Sequence, residues 1–146
     1  HHGQEDESHL MFITTSRDPS QKTRRFGRAL AAFLSVPYLN RGKLGFSGGE
    51  TWLVVVEDHG NPQGLVKRSA AGEDLLSFRL LEEPVMRGMK RGVPVVTGMA
   101  AESKAIAQFF ELDWSESPDR KARLISVASG RIDFMDEGRT RFSLRL

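Results

Sequence analysis

The sequence predicts an α/β fold made of strand–turn–helix units and further strands. Two segments, at about 10–34 and 93–112, each run from an apolar stretch through a short turn into an amphipathic helix. A third segment, Thr51–Asp58, reads TWLVVVED, and such an apolar run without alternation is typical of a central strand covered on both faces. We therefore predict helices at about 20–34 and 100–112 that flank a mixed sheet.

The composition is that of a soluble globular protein with one domain's worth of chain. The 146 residues are 39% hydrophobic and 27% charged, and no apolar run approaches the length of a membrane span. The chain has no cysteine, which excludes disulfides and thiolate metal sites, and a cytoplasmic location is the default expectation. Residues 1–9 begin His-His-Gly and are otherwise polar and acidic, so we expect a tag remnant and a disordered N-terminus.

The opening unit combines a buried strand, a polar turn and a helix with one basic side. Leu10 to Thr15 is apolar and favours β structure. Pro19 disfavours helix at Asp18, and Ser20 is a good N-cap for a helix that ends near residue 34. Helical spacing separates an apolar side from a basic side; the apolar side has Thr23, Phe26, Leu30, Phe33 and Leu34, and the basic side has Arg24, Arg25 and Arg28.

This region concentrates positive charge. Between Ser16 and Lys43 there are seven Lys or Arg residues and one Asp, a local charge of +6 in a chain whose net charge is +2. A second strand near Tyr38 to Asn40 leads into Arg41-Gly42-Lys43, which lies at the same sheet edge if the two strands are neighbours. Hydroxyls, a helix N-terminus and guanidinium groups are donors that bind phosphates. An ordinary solvated helix face explains the same pattern.

The residues also resemble a known family. Thr14-Thr15-Ser16-Arg17, Pro19-Ser20, Thr23-Arg24, Phe26 and Asn40-Arg41-Gly42 resemble the opening of Brix-domain ribosome-biogenesis proteins, of the archaeal single-domain type. The match is specific over 10–43 and looser afterwards. The resemblance implies a factor that binds precursor rRNA and assists its processing and ribosomal subunit assembly, without catalytic activity. It also implies two related halves, each similar to the anticodon-binding domain of class II aminoacyl-tRNA synthetases.

An imperfect internal repeat is consistent with two related halves. The two strand–turn–helix segments repeat with a period near 82 residues, and both strands end in a threonine, Thr15 and Thr97. Any two strand–turn–helix units look alike, so this repeat alone does not establish that the halves are related. With the family resemblance, we predict one Brix domain at 10–146 with pseudo-repeated halves at about 10–83 and 84–146.

The predicted RNA-binding residues are the basic side chains of the first half and of one later connection. The main set is Arg17, Lys22, Arg24, Arg25, Arg28, Arg41 and Lys43. The secondary set is Arg87, Lys90 and Arg91, in a connection at 82–92 that also reads as a solvated linker. The helix phenylalanines are expected in the core, whereas Phe46 and Trp52 are the aromatic residues most open to a functional role. RNA binding is thus expected to follow shape and backbone charge.

The chain lacks the patterns of an enzyme, and we predict no catalytic residue, metal or cofactor. There is no cysteine nucleophile, Gly-x-Ser-x-Gly elbow or Walker loop, and His59 is expected to be exposed in a turn. Expected partners are precursor rRNA and either ribosomal proteins or other assembly factors; we expect a monomer and no membrane. Two alternatives stay open: a module that docks ribosomal proteins through an apolar sheet edge at 122–146, and an enzyme that binds a phosphorylated small molecule at the Ser16–Ser20 turn.

Overall fold

The computed structural model of the protein describes residues 10–40 and 49–146. These residues divide into two compact units. Unit 1 contains 10–32, 36–40 and 49–77, and unit 2 contains Phe33–Ser35 and Phe78–Leu146. The α/β class and the two predicted helices are confirmed, but the single mixed sheet is wrong because each unit has a mixed sheet of its own.

Unit 1 is a four-stranded sheet with one helix. Its elements are β1 (Met11–Thr15), α1 (Gln21–Leu34, whose last two residues belong to unit 2), β2 (Thr51–Asp58), β3 (Asn61–Ser69) and β4 (Gly72–Ser77). The strands lie in the order β1-β2-β3-β4; β1 and β2 are parallel, and the other pairs are antiparallel. On the other side of β1, Ile13 forms a parallel bridge with Tyr38, so the predicted neighbouring strand is present there as a short extended segment.

The start of α1 follows from the turn chemistry of its sequence. Asp18 has a φ of 52°, the left-handed conformation that Asp adopts more readily than most residues, and Pro19 keeps it out of the helical region. The Ser20 side chain accepts a hydrogen bond from the Thr23 backbone N–H at 3.1 Å, which confirms the predicted N-cap. Phe26 and Leu30 of the apolar face are fully buried, and so are Leu53 and Leu65 of the sheet.

Unit 2 is a five-stranded sheet with one helix. Its elements are β5 (Arg79–Glu82), β6 (Val95–Thr97), α2 (Ala101–Phe110), β7 (Leu124–Ala128), β8 (Arg131–Asp136) and β9 (Arg139–Arg145). The order is β5-β9-β8-β7-β6, with β6 and β7 parallel and the other pairs antiparallel. Val96 forms a parallel bridge with Trp114 on the outer side of β6.

Two tight turns connect the last three strands of unit 2. Ser129-Gly130 and Glu137-Gly138 connect β7 to β8 and β8 to β9, and all four residues have positive φ, as two-residue hairpin turns of type I′ require. Gly98, with a φ of 151°, precedes α2, and a Cβ there would collide with the Val127 carbonyl oxygen. Only glycine therefore fits at the entry to this helix.

Aromatic rings fill the core of unit 2. Phe134 and Phe142 stack with ring centroids 4.3 Å apart, and Phe33 meets both rings edge-on at 5.2 and 5.9 Å. Phe110 of α2 contacts Phe134 in the same manner. The prediction that the helix phenylalanines belong to the core is confirmed, since Phe26, Phe33, Phe109 and Phe110 are all buried.

The two units share one connectivity. In each, a strand leads into a helix, the chain returns beside that strand through a single bridged residue, and three strands follow, the first parallel to the opening strand. Residues 74–81 alternate as one half-exposed strand would, but they contribute to two strands, β4 and β5, which belong to different sheets and are separated by the buried Phe78. In the part of the chain that the structure describes, no helix has the length and apolar character needed to cross a lipid bilayer.

Candidate nucleic-acid interface

The basic side of α1 faces solvent. Arg24, Arg25 and Arg28 are exposed on the helix, and Arg17 is exposed in the turn that precedes it. Neither Arg17 nor Arg24 is paired with a carboxylate among the described residues. A guanidinium group in that state retains its capacity for bidentate contacts with a phosphate.

The N-terminus of α1, in contrast, is already occupied by an acidic side chain. The Glu57 carboxylate accepts hydrogen bonds from the Thr23 hydroxyl at 2.5 Å and from the Ser20 backbone N–H at 3.1 Å. The Thr23 contact first, and then the Ser20 backbone contact, lower the pKa of Glu57 below its ordinary value. A carboxylate of this chain therefore already lies at the positive end of the helix dipole, where it disfavours a second anion.

Beside this capped end, a cavity of about 330 Å³ opens where β1 ends. Its lining comes from the end of the strand, the polar turn, the first turns of the helix and the returning segment: Thr15, Ser16, Arg17, Asp18, Pro19, Arg24, Tyr38 and Asn40. The cavity lies within unit 1 and brings two of the predicted RNA-binding arginines together with an aromatic ring and an amide.

Tyr38 is held in place by its neighbours on the helix. A Cβ at Gly27 would lie 2.9 Å from the Tyr38 Cε1, so the ring packs closely against the helix because position 27 has no side chain. The Arg28 guanidinium carbon lies over the ring, 5.6 Å from its centroid. The backbone bridge to Ile13 fixes the position of the residue in the sheet.

Not every residue of the main predicted set joins this cavity. Lys22 is half-buried, and its ammonium donates to the Asn61 side-chain oxygen at 2.9 Å, toward the β2–β3 turn rather than the cavity. Arg25 and Arg28 extend the exposed basic side of α1 beyond the lining residues. Arg41, Lys43 and Phe46 lie outside the described residues.

The secondary predicted set lies in unit 2 on a segment that two buried arginines hold by its backbone. Arg141 donates to the carbonyls of Val85 (3.0 Å) and Arg87 (2.8 Å). Arg123 donates to the carbonyls of Gly92 (2.8 Å) and Lys90. The side chains of Arg87, Lys90 and Arg91 are all exposed. The connection at 82–92 is thus a backbone-anchored segment with three basic side chains in solvent.

Asp136 balances part of the charge of the two buried arginines. Its carboxylate accepts from Arg123 Nε at 3.2 Å and lies 3.8 Å from Arg141 Nη2, and all three side chains are about nine-tenths buried. Sequence reasoning missed this cluster, and it missed Tyr38 and Glu57 as parts of the candidate site. A buried arginine or an internal carboxylate cap has no local sequence signal, because its partners come from distant segments.

Two further expectations are corrected and one is confirmed. Trp52 is buried and its ring lies 5.0 Å from that of Phe12, so it is a packing residue rather than an exposed functional one. The predicted docking edge at 122–146 is wrong, because β7, β8 and β9 each pair on both sides within the described sheet. His59 is confirmed as exposed in a turn, beside Asp58.

Comparison with known proteins decides the family. A protein of Methanosarcina mazei, named a probable Brix domain-containing ribosomal biogenesis protein, is 33% identical over 93% of this chain and 96% of its own length. This chain belongs to the Brix-domain family. A relative of the same name from Archaeoglobus fulgidus is 42% identical over 66% of this chain and 72% of its own. No protein-family model matches the chain.

Solved structures agree with the assignment to the Brix-domain family. The crystal structure of Mil, an archaeal Imp4-like protein, matches with a TM-score of 0.70 and 28% identity over 92% of this chain and 95% of that one. A probable ribosomal biogenesis protein from Aeropyrum pernix K1 matches with a TM-score of 0.65 over 94% of both chains; at 19% identity, this match concerns the fold alone. The resemblance identified from residues 10–43 is therefore confirmed.

Proposed function

We propose that this Brix-domain protein acts in ribosome biogenesis by binding precursor rRNA, assisting its processing and ribosomal subunit assembly, through the basic surface of unit 1. The observation that carries the proposal is the exposed row of arginines on α1 and the turn before it, of which Arg17 and Arg24 line one cavity and are unpaired among the described residues. The names of the relatives support the ribosome-biogenesis role. Among the described residues, Arg17, Arg24, Arg25 and Arg28 form the core of this surface, and Lys22 is a peripheral member. Arg41 and Lys43 remain proposed RNA contacts outside the described residues.

A second contact is proposed on unit 2. Arg87, Lys90 and Arg91 project from a segment whose carbonyls are held by Arg123 and Arg141, so little backbone entropy is lost when they bind a phosphate backbone. We assign no catalytic residue in either unit. The further expectations remain part of the proposal: two related halves similar to synthetase anticodon-binding domains, a monomeric protein in the cytoplasm, and ribosomal proteins or other assembly factors as additional partners.

The test is RNA binding by the double variant Arg24→Ala/Arg28→Ala. Titration of labelled rRNA fragments, followed by fluorescence anisotropy at several salt concentrations, measures the affinity and its salt dependence. Each lost phosphate contact lowers the slope of log K against log salt by about 0.7 for single-stranded RNA, so we expect a decrease of about 1.4. Folding should be nearly unaffected because both side chains are exposed.

A double variant that removes the same number of positive charges serves as the control. Arg139→Ala/Arg145→Ala also removes two exposed arginines, but from β9 of unit 2. We expect its salt slope to stay close to that of the wild type. Equal losses in both double variants would mean that net charge, rather than the surface on α1, determines binding. A folded wild-type protein that binds no rRNA fragment would instead favour the function as a protein-docking module.

A further inference from the structure

The cavity beside β1 has a chemical character that a phosphate site alone does not require. Simple attraction to an RNA backbone needs only exposed cations. Besides Arg17 and Arg24, the residues that line this cavity include Tyr38, Asn40, Ser16 and Asp18. Aromatic surface, amide and hydroxyl groups, and cations are the complements of a base, its polar edge and its phosphates.

The size of the cavity limits what enters it. At about 330 Å³ it lies at the lower end of the range of small-molecule sites, roughly 300 to 1,000 Å³. This volume suits one nucleotide better than a stack of bases. In an RNA duplex the bases are paired and stacked, and their polar edges are largely inaccessible, so only an unpaired nucleotide has a base free to enter.

The wall formed by Tyr38 is placed before any ligand arrives. Close packing of the ring at Gly27, the Arg28 guanidinium over the ring and the backbone bridge to Ile13 all restrain it. A restrained aromatic wall lowers the entropic cost of binding a base.

We propose that this cavity binds one unpaired nucleotide of an RNA strand, with the base against Tyr38 and the adjacent phosphates on Arg17 and Arg24. The inference rests on the RNA-binding function proposed above and narrows it to strands with accessible bases. The surface of α1 then supplies salt-dependent affinity, and the cavity supplies a preference for single-stranded over duplex RNA.

Tyr38 is the only tyrosine of the chain, which provides a direct probe. Protein produced with 3-fluorotyrosine has a single ¹⁹F resonance, from residue 38. We expect a single-stranded oligonucleotide of 12 residues to shift this resonance, and a duplex of the same sequence to leave it nearly unchanged at equal occupancy. Occupancy is measured independently by anisotropy, so binding to the surface and entry into the cavity are read separately.

Two variants test the contribution of the ring. Tyr38→Leu removes the aromatic surface and should weaken binding of the single strand about tenfold with an unchanged salt slope, because stacking on one base contributes about that factor and no charge is lost. Gly27→Ala should also weaken binding of the single strand, because the new methyl group displaces the Tyr38 ring. Trp114→Leu is the matched control in unit 2; its indole hydrogen-bonds Ser103 of α2, and we expect less than a twofold change.

The outcomes separate the two proposals. Binding by anisotropy together with a ¹⁹F shift specific to the single strand supports the cavity. Binding to single strands without a shift, or equal effects of Tyr38→Leu and Trp114→Leu, overturns the cavity and leaves the RNA-binding function standing. A shift produced by a free nucleoside monophosphate at concentrations where the oligonucleotide has no effect overturns the RNA assignment. Absence of any RNA binding by the folded protein overturns the proposed function itself.

Discussion

Unit 1 and unit 2 follow the same path of strand, helix, bridged return and three strands, yet they use arginine in opposite ways. Unit 1 places Arg24 and Arg28 in solvent on α1, whereas unit 2 buries Arg123 and Arg141 around Asp136. The helix of unit 2 has one basic residue, Lys104. A shared connectivity therefore does not determine where charge lies: the guanidinium groups of Arg24 and Arg28 stay in solvent in unit 1, and those of Arg123 and Arg141 donate to backbone carbonyls in unit 2.

The same contrast holds for an aromatic residue at the bridge. In unit 1 the Arg28 guanidinium lies 5.6 Å from the centroid of the Tyr38 ring, and in unit 2 the Lys104 ammonium lies 4.6 Å from that of Trp114. Trp114 also donates its indole N–H to the Ser103 hydroxyl at 3.0 Å, which ties the ring to α2. Tyr38 lines a cavity instead. The aromatic ring at the bridge thus has a structural role in unit 2 and a candidate binding role in unit 1.

The largest expected effect is the loss of the buried counter-charge in unit 2. Asp136→Asn leaves two buried guanidinium groups without an anion, which should lower the free energy of unfolding by about 3–5 kcal/mol. Chemical denaturation monitored by circular dichroism measures this difference. Asp133→Asn is the control, because its pair with Arg131 is partly exposed, and its cost should be about 1 kcal/mol or less. Equal costs would contradict the structural role assigned to Arg123 and Arg141.

A smaller effect, which depends on pH, is expected at the cap of α1. The pKa of Glu57 is lowered in the folded protein, so its ionised form stabilises the fold above the ordinary value of 4.5. That contribution is lost as the pH falls through the folded pKa. Glu57→Gln should therefore reduce stability at pH 7 by about 1 kcal/mol, the size of interactions at helix ends. The difference in stability between this variant and the wild type should shrink below pH 4.5. Thermal unfolding of both proteins at a series of pH values measures this difference. A difference that stays constant with pH would contradict the role of ionised Glu57 at the start of α1.

The smallest effect is expected from copying the arginine spacing of α1 onto α2. Ala101→Arg/Ala105→Arg places two cations four residues apart on exposed positions, as in Arg24 and Arg28. RNA affinity at low salt should rise severalfold and the salt slope should steepen by up to about 1.4. The ratio of single-stranded to duplex affinity should not rise, since no cavity is added. An increased ratio, measured by anisotropy with both RNAs, would show that charge alone produces the preference.

Local sequence rules determined much of unit 1. The cap at Ser20 and the helical spacing of Phe26 and Leu30 depend on neighbours within a few residues, and each is present as predicted. The family could be identified for a similar reason, because most of its motif lies in the contiguous segment from the end of β1 to the first turns of α1. The exposed arginines of α1 follow from helical periodicity once the apolar face is known.

Tertiary structure alone decided the division into two sheets and the character of the site. The break between β4 and β5, the Glu57 carboxylate at the start of α1 and the approach of Tyr38 to Gly27 each join residues distant in sequence. Arg123 and Arg141 are buried, whereas Arg87 is exposed. Nothing in their local sequences distinguishes the buried arginines from the exposed one. Burial of a charge depends on whether the fold brings a carboxylate and free carbonyls to it, and that is a property of the assembled unit rather than of the segment.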